Sequence, residues 1–373
     1  MENKHNSWDL KQMQSLPLES KIRMTQQRIR IWYESWKRYE IFNKKTGKTR
    51  FVTATEEPQL KETEYIVSEI DGQVYVSFSG GKDSTVLKHI VDSMYDDVPA
   101  LFVNTGLEYP EIQSFVRDIK SGNYDCFNSD VEIVRPEMRF DEVLKNYGYP
   151  VISKEVSQII REAKKGIARG DGSYKYRIAK LEGTLKKADG TKSNYNCDQW
   201  KFLLDAPFDE SEECCKVMKK KPLKRYEKET GRKPFIGTMA TESRLRYQAW
   251  LKYGCNSFEK NRQSSNPLSF WTEQDILHYM KEYNIPYCKV YGDVIEENEK
   301  LKTTGCSRTG CMFCMFGCHL EKEPNRFQRL KETHPRQYEY CINGGEMVDG
   351  KWQPSKEGLG LGKVLDYIGV KYD

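Results

Sequence analysis

The chain has 373 residues and a net charge of +5, and 38% of its residues are hydrophobic, which is enough to bury one large core or two smaller ones. No apolar run approaches the roughly 18 residues of a membrane-spanning helix, and Met1–Leu10 is too polar for a secretory signal. The composition therefore argues against a membrane or secreted protein, and we expect a cytoplasmic protein with no membrane partner.

The N-terminal region, up to residue 70, is predicted to be a helical and hairpin extension. Apolar residues recur at helical spacing through Leu18–Tyr39. The polar stretch 43–63 contains a Lys-Lys-Thr-Gly-Lys turn, which is typical of a hairpin or loop.

Strands and helices are predicted to alternate from Gln73 onward. The apolar runs that predict strands are 74–78, 100–103, 131–134 and 235–237, and the helical stretches that follow them are 85–94, 111–119, 140–147 and 242–251. This alternation predicts an α/β fold, a parallel twisted sheet with flanking helices, over residues 71–290. Thr272 is the predicted N-cap of a further helix, and Glu296–Thr304 is predicted to be a polar loop.

The hexapeptide Ser79-Gly-Gly-Lys-Asp-Ser84, between a predicted strand and helix, predicts a phosphate-binding loop. Two glycines let the backbone turn so that successive N–H groups face one anion, and the helix N-terminus adds partial positive charge. Lys82 supplies a cation, Ser84 supplies a hydroxyl, and Asp83 is suited to hold a Mg²⁺ ion. The spacing is too short for a Walker A loop. We expect Lys82 to be exposed, so that its replacement leaves the fold intact.

Two basic stretches favour a polyanionic partner, either a nucleotide or a nucleic acid. Eleven bases stand against five acids between Lys154 and Lys192, and nine bases against two acids between Lys216 and Lys233. The first stretch interrupts the strand–helix alternation as a helical insertion near residues 154–195. A solvated helix face explains either stretch equally well.

Eleven cysteines are many for a cytoplasmic chain, in which disulfides are not expected. Four of them lie close enough in sequence to form a zinc or iron–sulfur site: Cys306, Cys311, Cys314 and Cys318. They define a cysteine-rich C-terminal region at residues 291–373. We interpret four other cysteines as structural: Cys126, Cys197, Cys255 and Cys288.

The phosphate-binding loop resembles the PP-loop of ATP pyrophosphatases, which cleave ATP between the α- and β-phosphates. Val76–Val86, together with Val103-Asn-Thr-Gly-Leu-Glu-Tyr-Pro110, resembles the phosphoadenosine phosphosulfate (PAPS) reductase family in the broad sense. That family includes sulfonucleotide reductases, the small subunit of ATP sulfurylase and the ATPase-like component of DNA phosphorothioation systems. The resemblance extends from about Gln73 to Leu320 and implies an adenine-nucleotide α-hydrolase-like sheet. The intact Lys-Asp-Ser ending favours ATP over a preformed adenylyl sulfate.

The resemblance implies further nucleotide contacts at the strand ends. Thr105 and Gly106 follow the second strand, where ligands of open α/β sheets bind. Gly237–Arg246 resembles a strand-end segment of the family that carries an acid and arginines, which suit phosphate or sulfate. The implied nucleotide site is Ser79, Gly80, Gly81, Lys82, Asp83, Ser84, Thr105, Gly106, Glu242, Arg244 and Arg246. The resemblance implies a catalytic role for Lys82, Asp83 and Arg244.

Cys214-Cys215-Lys216, followed by Lys221-Pro-Leu223, resembles the tandem-cysteine motif of [4Fe–4S] sulfonucleotide reductases, in which the pair joins a later C-x-x-C. The ligands implied by this resemblance are Cys214, Cys215, Cys311 and Cys314. The phosphorothioation relatives suggest a compact set instead: Cys306, Cys311, Cys314 and Cys318. We prefer the first set, and zinc is the alternative to the cluster.

Two cysteines are candidates for direct chemistry with sulfur. Cys318 is outside the preferred ligand set and is suited to carry sulfur. Cys341 lies near the C-terminus, where sulfonucleotide reductases have a nucleophilic cysteine in a Glu-Cys-Gly motif. The local sequence Glu339-Tyr-Cys-Ile342 matches that motif weakly, and a packed core cysteine explains Cys341 equally well.

Three functions follow from these features. The leading hypothesis is an ATP-dependent enzyme of sulfur metabolism that adenylates a substrate, releases pyrophosphate and supports sulfur transfer with an iron–sulfur cluster. Its partners would be an adenine nucleotide and a nucleic-acid acceptor or a sulfur-donor protein. The second hypothesis is a sulfonucleotide reductase that acts through Cys341 or Cys318, and the third is a non-catalytic nucleic-acid adaptor with a structural zinc.

Overall fold

The computed structural model describes residues 3–259, 261 and 263–373. The chain forms two compact units, and each combines segments that are distant in sequence. The first, which we call the sheet unit, comprises the described parts of Met1–Asn104, Glu108–Arg135 and Pro222–Thr309. The second, the cysteine unit, comprises Thr105–Leu107, Pro136–Lys221 and Gly310–Asp373. The basic insertion thus belongs to one unit with Cys311, Cys314, Cys318 and Cys341, although the sequence suggested three consecutive regions.

The secondary-structure elements are numbered in chain order. The strands are β1 (Lys37–Asn43), β2 (Lys48–Ala54), β3 (Tyr65–Ile70), β4 (Val74–Phe78), β5 (Ala100–Val103), β6 (Val131–Val134), β7 (Lys233–Ile236), β8 (Asn256–Ser257), β9 (Ser264–Ser265), β10 (Val294–Glu297), β11 (Lys300–Thr303), β12 (Glu346–Val348) and β13 (Lys351–Gln353). The helices are α1 (Ser7–Ser15), α2 (Leu18–Glu34), α3 (Lys82–Asp92), α4 (Pro110–Lys120), α5 (Phe140–Tyr147), α6 (Lys154–Arg169), α7 (Lys175–Glu182), α8 (Lys221–Thr230), α9 (Arg244–Tyr253), α10 (Glu273–Glu282), α11 (Arg326–Thr333), α12 (Pro335–Ile342) and α13 (Leu361–Tyr367). None of the helices that the structure describes is long and apolar enough to cross a membrane.

A six-stranded sheet forms the centre of the sheet unit, in the order β6-β5-β4-β7-β9-β8. Five strands are parallel, and β8 runs antiparallel to β9. Val74 and Val76 of β4 and Phe235 of β7 are fully buried, as expected for parallel strands covered on both faces. The predicted α/β class is confirmed, and β4, β5 and β6 have the predicted bounds.

Two predicted elements differ from the structure. The helix expected over Leu18–Tyr39 ends at Glu34, and β1 begins at Lys37 because Tyr39 and Ile41 alternate with more exposed residues and are buried on one face. The polar loop expected over Glu296–Thr304 is largely a hairpin of β10 and β11. Its two turn residues, Asn298 and Glu299, both have positive φ, which is the geometry of a tight hairpin turn.

The helical insertion of the cysteine unit consists of α6 and α7, and much of its positive charge is paired within the unit. Ion pairs join Arg161 to Glu212, Lys164 to Glu210, Arg177 to Glu162 and Lys180 to Glu155. The surface that remains for a polyanion is therefore smaller than the sequence suggested.

Glu210 should make the protein less stable as the pH rises. Its carboxylate is fully buried and lies 2.9 Å from the ammonium group of Lys164. Burial raises its pKa from 4.5 to about 7 in spite of Lys164. The native state therefore holds a proton that the unfolded state loses above pH 4.5. The free energy of unfolding should fall by roughly 3 kcal/mol as the pH rises through pH 7.

The matched variant for this prediction is Glu210→Gln, which cannot ionise. Denaturant titrations of both proteins at pH 4.5 and pH 8 would measure the difference in unfolding free energy at each pH. Other titrating groups contribute to both proteins and cancel in that difference. A difference that is the same at the two pH values would contradict the prediction.

Candidate functional site

The hexapeptide Ser79–Ser84 connects β4 to α3; its surroundings require glycine at position 80 and leave little room for a side chain at position 81. Gly80 has a φ of +69°, and a Cβ atom there would lie 2.9 Å from Cγ2 of Ile112. A Cβ atom on Gly81, the N-cap residue of α3, would lie 3.2 Å from Oγ1 of Thr309. The loop is itself largely buried, with Gly80, Gly81, Lys82 and Ser84 shielded from solvent. It lies at the start of the helix, where N–H groups have no partner within the helix.

Hydroxyl groups brace the loop from within. Oγ of Ser84 accepts the backbone N–H of Ser79 at 3.2 Å and donates to the carbonyl of Gly81 at 2.9 Å. The hydroxyls of Ser79 and Ser84 also lie 2.9 Å apart. This bracing holds the turn in place, which lowers the cost of ordering it around an anion.

Lys82 is buried, and the expectation that it is exposed is wrong. Only 3% of the residue is accessible, because its ammonium group has protein partners. It donates to the carbonyl of Ser307 at 2.7 Å and lies 3.1 Å from the carboxylate of Glu273. A phosphate that approaches Lys82 would compete with Glu273 for its charge.

Asp83 has the properties that a Mg²⁺ ligand needs. Burial raises its pKa to about 6; Lys82 lowers the pKa, and the carboxylates of Glu242 and Glu273 raise it. Its Oδ1 atom is buried without a hydrogen-bond partner, and such an oxygen suits a hard cation. Among residues 3–259, 261 and 263–373, however, no three His, Cys, Asp or Glu side chains form a ready metal site.

The predicted strand-end segment Gly237–Arg246 begins against the phosphate-binding loop. A Cβ atom on Gly237 would lie 3.0 Å from the carbonyl oxygen of Asp83. Glu242 accepts the N–H of Met239 at 2.7 Å and pairs with Arg246. Arg244, at the start of α9, is exposed. Glu242, Arg244 and Arg246 thus follow β7, which lies next to β4 in the sheet.

Thr105 and Gly106 belong to the cysteine unit, whereas the other predicted nucleotide-binding residues belong to the sheet unit. In the chain they follow β5 directly. Oγ1 of Thr105 accepts the backbone N–H of Leu107 at 3.2 Å, which closes a local turn.

Two residues of the site were not predicted from the sequence. The hydroxyl of Tyr291 accepts the backbone N–H of Lys82 at 3.1 Å and lies 2.7 Å from Oγ1 of Thr309. Burial raises the pKa of Tyr291, so its hydroxyl stays protonated. Thr309 lies two residues before the candidate ligand Cys311, so the sequence offered a signal for it, but Tyr291 lies in no motif.

Four cysteines of the cysteine unit line one cavity: Cys214, Cys215, Cys311 and Cys314. The apolar lining of the cavity includes Leu107, Phe140 and Phe313. The thiol of Cys214 donates to the sulfur of Cys215 at 3.9 Å. This hydrogen bond, together with the nearby ammonium groups of Lys154 and Lys219, lowers the pKa of Cys215.

The cavity fits an iron–sulfur cluster by its donor set and its lining. Thiols are the donors that an iron–sulfur cluster takes. No group of three His, Cys, Asp or Glu side chains in the described part of the chain is already arranged around a metal ion. An apolar lining shields such a cluster from solvent.

The compact ligand set draws on both units. Cys306 belongs to the sheet unit. Cys318 lies in the cysteine unit but outside the lining of the cavity, and burial raises its pKa to about 11. Cys311 and Cys314 are therefore grouped around this cavity with the tandem pair.

Cys341 is a buried core residue. It lies on α12, none of it is accessible to solvent, and burial raises its pKa well above the ordinary value. Reactive cysteines are partly exposed and have lowered pKa values. The structure thus favours the structural interpretation of Cys341 over the nucleophilic one.

Comparison with known proteins gives one family match and several distant relatives. A family model described as "Phosphoadenosine phosphosulfate reductase domain" matches residues 73–166 and 173–316. Two uncharacterized proteins of Methanocaldococcus jannaschii are 25% and 23% identical over 74% and 72% of this chain. The matches cover 42% and 47% of those relatives, so this chain aligns with less than half of their length.

A solved structure is also similar to this chain. The crystal structure of phosphoadenylyl-sulfate (PAPS) reductase from Candida auris, a phosphate complex, is 14% identical. The match covers 62% of this chain and 84% of that one, with a TM-score of 0.33.

Proposed function

This chain belongs to the phosphoadenosine phosphosulfate reductase domain family, and from that premise we propose that it is an ATP-dependent enzyme that adenylates an acceptor for sulfur transfer. Family membership supports an enzyme with a sulfonucleotide-related function. The finer assignment to ATP depends on one observation, the complete loop Ser79–Ser84. Its glycine turn, the cation of Lys82 and Oδ1 of Asp83, which accepts no hydrogen bond and lies 4.0 Å from the ammonium group of Lys82, are at the start of one helix.

The proposed reaction breaks one bond and forms another at the α-phosphorus of ATP. An oxygen atom of the acceptor attacks the α-phosphorus, and the bond to the bridging oxygen breaks, so that pyrophosphate leaves. The loop backbone and Lys82 would hold the departing pyrophosphate and stabilise its charge. Arg244 and Arg246 would bind a phosphate or sulfate group other than the departing pyrophosphate. Mg²⁺, held by Asp83 and the phosphates, would neutralise part of the triphosphate charge.

The cysteine cavity would take part in the sulfur-transfer step of this function. The four cysteines that line it would hold a [4Fe–4S] cluster, which would hold together the part of the site that receives the acceptor. The apolar lining would exclude water from the cluster. We propose a nucleic acid as the acceptor, supported by the basic stretches, and a sulfur-donor protein as a further partner.

An ATP–pyrophosphate exchange assay tests the proposal. The protein, prepared without oxygen, should incorporate labelled pyrophosphate into ATP when Mg²⁺ and a mixture of candidate acceptors are present. Asp83→Asn should abolish the exchange, whereas Glu296→Gln, an exposed carboxylate on β10, should leave it unchanged. Sulfite release from an adenylyl sulfate, without any exchange, would show that the reductase hypothesis is correct instead.

A further inference from the structure

The donors of Lys82, which the phosphate-binding loop would present to a phosphate, already have partners within the sheet unit. The backbone N–H of Lys82, the first residue of α3, donates to the hydroxyl of Tyr291 at 3.1 Å. Its ammonium group donates to the carbonyl of Ser307 at 2.7 Å and lies 3.1 Å from the carboxylate of Glu273. Three oxygen acceptors of the protein thus occupy donors that suit a phosphate oxygen.

Two of these acceptors belong to one local structure, formed by Tyr291 and the segment 307–309, which we call the clasp. The hydroxyl of Tyr291 lies 2.7 Å from Oγ1 of Thr309. At the base of the hairpin of β10 and β11, the N–H of Gly305 donates to the carbonyl of Tyr291 at 2.8 Å. The hairpin therefore joins the two parts of the clasp, and both lie against the start of α3.

The clasp covers the start of α3. Lys82 is only 3% exposed and Tyr291 only 2%. A Cβ atom on Gly81 would lie 3.2 Å from Oγ1 of Thr309 and 3.3 Å from the hydroxyl of Tyr291. Because a backbone N–H is a single donor, a phosphate oxygen that accepts the N–H of Lys82 has to take the place of the Tyr291 hydroxyl.

We infer that the clasp is an internal substitute for phosphate, which a nucleotide or pyrophosphate must displace in order to bind. The hydrogen bond from Lys82 to Tyr291 then stabilises only the ligand-free protein. Its removal raises the free energy of the ligand-free state and leaves that of the bound state unchanged, so that affinity increases. The inference rests on the phosphate site of the proposed function, but binding tests it without the reaction.

Isothermal titration calorimetry with pyrophosphate and Mg²⁺, on the full chain, tests this inference. Tyr291→Phe keeps the ring and removes the hydroxyl, and it should bind pyrophosphate roughly twofold to tenfold more tightly, the range expected for one hydrogen bond. The melting temperature of the ligand-free variant should be lower than that of the wild type, because the buried N–H of Lys82 loses its partner. Pyrophosphate should raise that temperature more in the variant than in the wild type.

Tyr279→Phe is the matched control. Tyr279 is a buried tyrosine of α10, and its hydroxyl lies 2.9 Å from Nδ1 of His89. Removal of this hydroxyl should leave pyrophosphate affinity unchanged. An equal gain in affinity in Tyr279→Phe and Tyr291→Phe would show a general loosening of the fold and would overturn the inference.

The remaining outcomes separate the inference from the proposed function. Unchanged or weaker pyrophosphate binding in Tyr291→Phe would overturn the inference and leave the phosphate site in place. An absence of binding in the wild type and in both variants would refute the phosphate site as well. Tighter binding in Tyr291→Phe without any ATP–pyrophosphate exchange would support the clasp and refute the proposed reaction alone.

Discussion

Replacing Cys215 by serine should remove iron and the broad visible absorption from the protein, whereas Cys306→Ser should keep most of both. The reason is that Cys215 lines the cavity with Cys214, Cys311 and Cys314, whereas Cys306 is not part of that lining. A [4Fe–4S] cluster bound by four cysteines becomes labile or is lost when one thiolate is removed. Iron analysis and the optical spectrum of anaerobically purified protein measure the outcome.

Cys311→Ser and Cys314→Ser are the positive controls, because both ligand sets require them. Cys318→Ser is the matched control within the cysteine unit, since Cys318 is buried but lies outside the cavity lining. Full iron content in Cys215→Ser, combined with iron loss in Cys306→Ser and Cys318→Ser, would establish the compact set instead. Stoichiometric zinc without iron, in protein made anaerobically with iron supplied, would refute both ligand sets as cluster sites.

Replacing Lys82 by methionine should weaken ATP binding by roughly tenfold to a hundredfold. The change removes a charge-assisted contact, which contributes about 1.5–3 kcal/mol. Methionine is preferable to alanine because Lys82 is buried and its ammonium group lies 5.5 Å from the ring centroid of Tyr291. Alanine would leave a cavity beside that ring and destabilise the fold as well. Isothermal titration calorimetry with ATP and Mg²⁺ measures the affinity.

Glu273→Gln is the companion variant for Lys82. Its carboxylate lies 3.1 Å from the ammonium group and competes with phosphates for that charge. Neutralising Glu273 should therefore leave ATP affinity unchanged or tighten it, while Lys82→Met weakens it. Equal ATP affinity in wild type and Lys82→Met would show that the loop is not the phosphate site.

The sequence by itself determined the central strands and the chemistry of the loop. Both depend on residues that are contiguous in the chain. The apolar runs 74–78, 100–103 and 131–134 form β4, β5 and β6 with the predicted bounds. β4 and β5 are largely buried, as in a covered parallel sheet, whereas β6 is partly exposed. Turn-forming residues lie in the segments between the strands. Thr272 likewise caps α10 through Asp275, three residues further on, as predicted.

Only the tertiary structure decided which residues surround the loop and the cysteine cavity. Lys82 is buried because it meets Ser307 and Glu273, which lie far from it in the chain. Cys214 and Cys311 line one cavity, although nearly a hundred residues separate them in sequence. The pattern of residues along one segment indicates the secondary structure of that segment. The contacts of Lys82 and the grouping of the cysteines depend instead on how distant segments pack together. Packing therefore determined the burial of Lys82 and the grouping of the cysteines.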